Sequence, residues 1–127
     1  MEYTIKNVAE KFNIAAHTLR YYEREGLLPP VHRLENGRRI YSETDLMRIQ
    51  MICCMRETGM SIDAIKHYNM LNLLGEDTLP ERRQIIFHQK EIVEKHINEY
   101  QKYFELLTQK LHYYDSLDAQ IREKGRP

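Results

Sequence analysis

The stretch His17-Thr18-Leu19-Arg20-Tyr21-Tyr22-Glu23-Arg24-Glu25-Gly26 reads as one short helix with two unlike faces. At about 100° per residue, Leu19 turns towards a preceding helix while His17, Arg20, Tyr21 and Arg24 form an outer surface. Gly26 stops this helix, which starts near Ala16. Upstream, Thr4 is a good N-cap for a first helix whose apolar residues are Ile5, Val8, Ala9 and Phe12. Asn13 can take the left-handed conformation that ends it. Two short helices separated by about three residues predict a helix-turn-helix.

Downstream, Val31-His32-Arg33-Leu34-Glu35-Asn36-Gly37-Arg38-Arg39-Ile40-Tyr41 predicts a hairpin. Its Asn36-Gly37 pair favours positive φ at both positions and so a type I′ turn. Residues 16–41 carry five arginines and three glutamates, a net charge of +2 inside a chain with 19 basic and 19 acidic residues. Taken singly, these motifs suit a solvated mixed-charge surface. A helix-turn-helix followed at once by an arginine-bearing hairpin is a winged helix, a DNA-reading arrangement. Arginine binds guanine edges or clamps phosphate, and tyrosine hydroxyls donate to phosphate oxygens.

Ser42 caps a third helix, with Asp45 as the acidic partner of a capping box and Leu46, Ile49, Ile52 and Met55 as its apolar face. Gly59 ends it. Ser61 caps a fourth helix carrying Ile62, Ile65, Tyr68 and Leu71, closed near Gly75. Thr78-Leu79-Pro80-Glu81 then predicts a capping box opening one long helix. Positions 79, 86, 93, 100, 107, 114 and 121 are all apolar or aromatic, and Ile97, Phe104 and Leu111 follow three of them by four residues. That repeat is a coiled-coil seam on a helix about 65 Å long. The seam needs a partner, most simply a second copy, although Arg83 and Lys90 interrupt its flanking row and the repeat leaves the direction of pairing open. The expected organisation is mainly α: a winged helix-turn-helix head over residues 1–75, then a long dimerisation helix with a short tail over 76–127.

Zero net charge excludes a histone-like protein that binds DNA by charge alone, but not a reader with a local basic surface. No apolar run approaches the ~18 residues of a membrane helix, and the first residues lack a signal-peptide pattern. Cys53 and Cys54 are adjacent and cannot staple distant segments, so a reducing cytoplasm is the expected location and membrane association is not expected. No acid–base pair, nucleophile with its base or phosphate-cradling loop points to an enzyme, and no cofactor is implied.

Tyr3-Thr4-Ile5, the run Thr18-Leu19-Arg20-Tyr21-Tyr22-Glu23-Arg24-Glu25-Gly26-Leu27-Leu28-Pro29, Asn36-Gly37-Arg38-Arg39-Ile40-Tyr41 and Gly59-Met60-Ser61-Ile62 resemble the MerR family of bacterial transcription regulators over residues 3–66. The resemblance implies a homodimer with antiparallel long helices, bound to a pseudo-palindrome in double-stranded promoter DNA. It also implies action with RNA polymerase by bending and untwisting an overlong promoter spacer. Carried onto this sequence, Arg20 with His17 and Thr18 would enter the major groove and Tyr21 and Tyr22 would touch phosphates. Arg33, Arg38, Arg39 and Tyr41 of the wing would grip the flanking backbone. Ala15 and Ala16 stand where the family usually has Ser-Pro, which removes an N-cap worth about 1 kcal/mol.

Only Arg122–Pro127 follows the long helix, so no drug-binding domain is expected. The cysteine positions of metal-sensing branches are empty and the six histidines are scattered, so no metal site is expected. The segment Cys54-Met55-Arg56-Glu57-Thr58-Gly59-Met60-Ser61-Ile62 resembles the branch answering aldehydes, other electrophiles or nitrosative stress through one cysteine. Cys54 matches that thiol and Cys53 is the second candidate, with Arg56, Lys66 and His67 as possible activating neighbours. The alternative is that both are small buried hydrophobes. Two other functions stay open: a coiled-coil adaptor that has lost DNA binding, and a repressor without effector sensing.

Overall fold

In the computed structural model, which describes residues 1–125, a two-residue strand β1 (Tyr3–Thr4) runs straight into helix α1 (Ile5–Phe12). Thr4 and Asn7 close a reciprocal capping box, each backbone N–H donating to the other's side-chain oxygen at 3.1 Å. Asn13 ends α1 in the left-handed region at φ 53°. Helix α2 (Ala16–Arg24) starts at Ala15 with no side-chain cap, as the missing serine predicts. Gly26, at φ 82°, turns the chain so that the Leu27 and Leu28 N–H groups both donate to the Tyr22 carbonyl. Leu27 and Leu28 thereby become fully buried anchors.

Strands β2 (His32–Arg33) and β3 (Arg39–Tyr41) form the expected hairpin. Its turn differs from the type I′ expectation. Gly37 lies at φ 84°, but Asn36 does not have positive φ, and the Gly37 N–H donates to Leu34 O at 2.9 Å. The loop is Glu35-Asn36-Gly37, closed by Leu34 N–H donating to Arg38 O at 2.8 Å. A three-residue loop needs one left-handed residue at its end, which Gly37 supplies, so Asn36 stays at negative φ. β1 adds to the other edge of β3, giving an antiparallel sheet in the order β1-β3-β2, with Tyr3 opposite Tyr41 and His32 opposite Ile40.

Helix α3 (Glu43–Glu57) begins with the expected capping box: Asp45 N–H donates to Ser42 Oγ at 3.1 Å and Ser42 N–H to Asp45 Oδ2 at 2.9 Å. Its predicted face of Leu46, Ile49, Ile52 and Met55 is buried. Helix α4 (Ile62–Leu74) starts at Ser61 and buries Ile65 and Leu71. The core is one cluster in which Val8, Leu19, Leu27, Leu28, Tyr41, Ile49 and Ile65 are fully enclosed. Lys66 Nζ donates to Glu25 Oε2 at 3.2 Å, and the buried Asn69 Nδ2 donates to Gly26 O at 2.8 Å. Both bonds hold α4 against the end of α2.

A 3-10 turn (Glu76–Thr78) leads into α5 (Leu79–Lys124). The capping box expected at Thr78 gives way to a different lock. The Thr78 hydroxyl points back to Leu71 O at 2.6 Å and Gly75 O at 2.7 Å, while Arg82 donates to Thr78 Oγ1, Asn72 Oδ1 and Gly75 O. The carbonyls left open at the end of α4 are thus satisfied by residues beyond it. Glu81, the expected capping partner, sits 3.3 Å from His67 Nε2 instead.

The chain divides into two compact units, Met1–Gln89 and the stretch from Lys90 on. Within the first unit, the first turns of α5 bond to α4 and the end of α3 through Arg82, Glu81 and Gln89. The second unit is helical to Lys124, and its aromatic and aliphatic seam is exposed in the single chain. Residues 126 and 127, the end of the expected tail, lie outside the described residues. Among the described residues no helix is long and apolar enough to cross a membrane.

Candidate nucleic-acid interface

Glu23 fixes the wing to α2. Its carboxylate accepts from Arg39 Nε at 2.7 Å and from the Val31 N–H at 3.3 Å, so it holds both arms of the hairpin. The two side chains are only 12% and 17% exposed, which shields the pair from solvent screening. Arg39, expected on the DNA-facing surface, is therefore committed to an internal bond.

With the wing held, a cleft of about 660 Å³ opens between it, the start of α1 and α2. Arg20 from α2, Arg38 and Arg39 from the wing and Lys6 from the first turn of α1 all line it. Arg20, Arg38 and Lys6 are exposed. Sequence periodicity missed Lys6. The signal was there: Thr4 opens α1, so Lys6 must sit at the helix N-terminus, where backbone N–H groups already favour an anion.

The remaining predicted residues divide into a surface set and a core set. His17, Arg33 and Arg38 are exposed and Thr18 is half-buried. Tyr21 is half-buried against the core with the Arg24 guanidinium 5.6 Å from its ring centre, which steadies both. Tyr22 and Tyr41 belong to the core. Tyr22 is 7% exposed, and burial pushes its hydroxyl pKa up, with Cys53 nearby adding to the effect and Arg56 opposing it. Tyr41 is fully enclosed with a hydroxyl that has no hydrogen-bond partner, and burial likewise pushes its pKa up against the pull of Arg39. The rings therefore act first as packing, and the phosphate-gripping role expected of Tyr41 has no exposed hydroxyl to perform it.

The two cysteines differ. Cys54 is exposed, on the same flank of α3 as the exposed Met47 and Met51. Cys53 is half-buried, and burial pushes its thiol up, with Glu57 and Cys54 adding to the shift. The candidate activating neighbours are engaged elsewhere: Arg56 Nη1 with Met60 O, Lys66 with Glu25 and His67 with Glu81. Cys54 does have a structural link. Its carbonyl accepts from the Thr58 hydroxyl at 2.7 Å, and Gln89 Nε2 donates to Thr58 Oγ1 at 2.8 Å. The last turn of α3 is thus tied to the start of α5.

Comparisons with known proteins identify the family. The family model for the MerR HTH family regulatory protein matches residues 3–69. An uncharacterized HTH-type transcriptional regulator of Haemophilus influenzae is 40% identical across 94% of this chain and 88% of its own length. The HTH-type transcriptional regulator AdhR of Bacillus subtilis is 44% identical across 68% of this chain and 62% of its own. Among solved structures, HiNmlR, a MerR family regulator lacking the sensor domain and bound to promoter DNA, superposes with a TM-score of 0.80 at 39% identity, covering 94% of each chain.

Proposed function

The chain belongs to the MerR family of helix-turn-helix transcriptional regulators, DNA-binding proteins without enzymatic activity, and from that premise we propose that it acts as a homodimer on a pseudo-palindrome in promoter DNA. The carrying observation is the cleft that gathers Arg20, Arg38 and Lys6 on one side of a rigidly attached wing. Arg20, exposed on α2, reads base edges in the major groove with His17 and Thr18 beside it. Arg33, Arg38 and Lys6 neutralise phosphates and set the register of the head on the duplex. Tyr21 supports this surface, while Tyr22, Arg39 and Tyr41 act from behind it. Binding to two half-sites bends and untwists the spacer, bringing the promoter elements into register for RNA polymerase. The place of action is the cytoplasm, where the promoter is.

A salt series of gel shifts with the promoter fragment of the chain's own gene, against scrambled DNA of equal length, tests this reading. Arg20→Ala should weaken specific binding about tenfold and relax base preference. Arg38→Ala should weaken both DNAs alike and flatten the salt dependence by about one ion per lost phosphate contact, hence about two per dimer. Binding that ignores both sequence and salt would instead mark the adaptor alternative.

The exposure of Cys54 favours a second element of the reading: an aldehyde or other electrophile adds to its thiolate, and the modified helix end shifts the bound dimer towards its untwisting state. Cys53, half-buried and with its thiol pushed up, holds less thiolate at neutral pH and reacts more slowly. Cys54→Ser is expected to keep DNA affinity and lose induction by formaldehyde or a quinone in a reporter assay, whereas Cys53→Ser keeps both. Full induction of Cys54→Ser would remove Cys54 as the sensor.

A further inference from the structure

A second cavity, of about 330 Å³, opens between α3, α4 and the residues that follow α2, and it shares no residue with the cleft bordered by the wing. Met47, Met51 and Met55 recur every four residues along α3 and so line one face of it. They are 71%, 40% and 2% exposed, so this wall runs from solvent into the core. Leu27 and Ile65, both enclosed in the core, line it as well. Thioethers adapt their shape to a partner and make favourable contacts with aromatic rings. The volume lies at the low end of the range of about 300–1,000 Å³ for sites that enclose small molecules, which suits one or two rings.

Helix α4 supplies the polar side. Asn69 is only 9% exposed, and its Nδ2 donates to Gly26 O at 2.8 Å, which fixes the orientation of the amide. Asn69 Oδ1 is left as an acceptor with no hydrogen bond among the described residues. Among those residues Tyr41 Oη is the one unpartnered side-chain polar atom wholly cut off from solvent. Asn69 Oδ1 is therefore reached from outside, through the cavity that its residue lines. An acceptor in so buried a side chain favours a ligand that brings a donor.

One turn further on, Asn72 Oδ1 accepts from Arg82 Nη1 at 3.1 Å, which leaves Asn72 Nδ2 as a donor at the same cavity. Residues three apart on a helix are neighbours, so the pair offers an acceptor beside a donor. A hydroxyl, which both donates and accepts, matches that pair. No carboxylate lines the cavity, whereas Arg48 does, with its Nη1 3.8 Å from Asp45 Oδ1. An organic cation would meet a like charge and no counter-charge there.

We propose that this cavity binds a small neutral aromatic alcohol of the phenol class. The ring lies against the three methionines and the hydroxyl donates to Asn69 Oδ1. The site needs neither the promoter reading nor Cys54.

NMR of the full-length chain carrying ¹³C-methyl methionine tests it, with 4-chlorophenol as the probe at neutral pH. Of the six methionines, Met47, Met51 and Met55 line the cavity, while Met1, Met60 and Met70 do not. The expected result is a saturable shift of the first three methyl signals in the low-millimolar range or below, with the other three unmoved. 4-Chloroanisole keeps the ring but cannot donate, and it should bind about fivefold more weakly. Met51→Glu, a substitution at a partly exposed position that leaves the core intact, should abolish the shifts without changing the helix content. Absence of a saturable shift, the result expected if a second copy of the chain fills the groove, would overturn the proposal. Equal binding of 4-chloroanisole, comparable shifts at Met60 and Met70, or undiminished binding by Met51→Glu would overturn it too.

Discussion

Glu23→Ala is expected to lower the unfolding free energy by about 2–3 kcal/mol and to weaken DNA binding with it. The carboxylate is the shared acceptor for the Arg39 guanidinium and the Val31 N–H, and neither donor has a ready substitute from solvent because the pair is largely enclosed. An exposed ion pair is worth about 0–1 kcal/mol, whereas removing one member of a buried pair costs about 3–5 kcal/mol by stranding the other. A pair exposed by 12% and 17% lies nearer the second case. Glu23→Gln keeps an acceptor but not the charge, so its loss should be about half as large. Urea titration followed by circular dichroism measures both, and a Glu23→Ala/Arg39→Ala double variant no less stable than Glu23→Ala alone would identify the stranded guanidinium as the source. A loss below about 0.5 kcal/mol in Glu23→Ala would mean that the wing is held by its apolar contacts alone.

The same pair explains why part of the interface was hard to read. The helices were legible because their signals are local: caps at Thr4, Ser42 and Ser61, a left-handed stop at Asn13, and apolar residues recurring at helical spacing from Leu46 to Met55. Residue type alone placed Arg39 and Tyr41 among groups that touch phosphate. Their neighbours across the fold decide otherwise. They alternate with Ile40 along β3, so both face inward, one meeting Glu23 and the other the core. Tyr22 stands three residues after the buried Leu19, hence on the same helical face, and that spacing does carry the information. Strand β1 offered no such signal, being two residues long and defined only by pairing with β3. Thr78 shows the reverse failure: a well-placed capping motif was overridden because the unsatisfied carbonyls at the end of α4 lay within reach of its hydroxyl.

Phe104→Lys is expected to convert the chain to a monomer at micromolar concentration and to reduce affinity for a two-half-site promoter by about a hundredfold or more. Its ring is 64% exposed in the single chain, in the middle of a seam with no other cover. Twofold symmetry makes each substitution occur twice, and two ammonium groups would enter the centre of the interface, where neither can be paired. Lysine is a good helix former, so the helix content of the second unit should not fall from intrinsic preference. The DNA effect is larger than any single lost contact because linked heads bind their second half-site as an intramolecular event, an advantage of about 10²–10⁴ that vanishes when the link is cut. Sedimentation equilibrium and gel shift on the same preparation should therefore change together, while the urea midpoint of residues 1–89, enclosed around their own core, changes little. Retention of the dimer by Phe104→Lys would show that the seam is held elsewhere. A monomer with undiminished promoter affinity would show that one head suffices, and the mirrored half-sites would then lose their physical rationale.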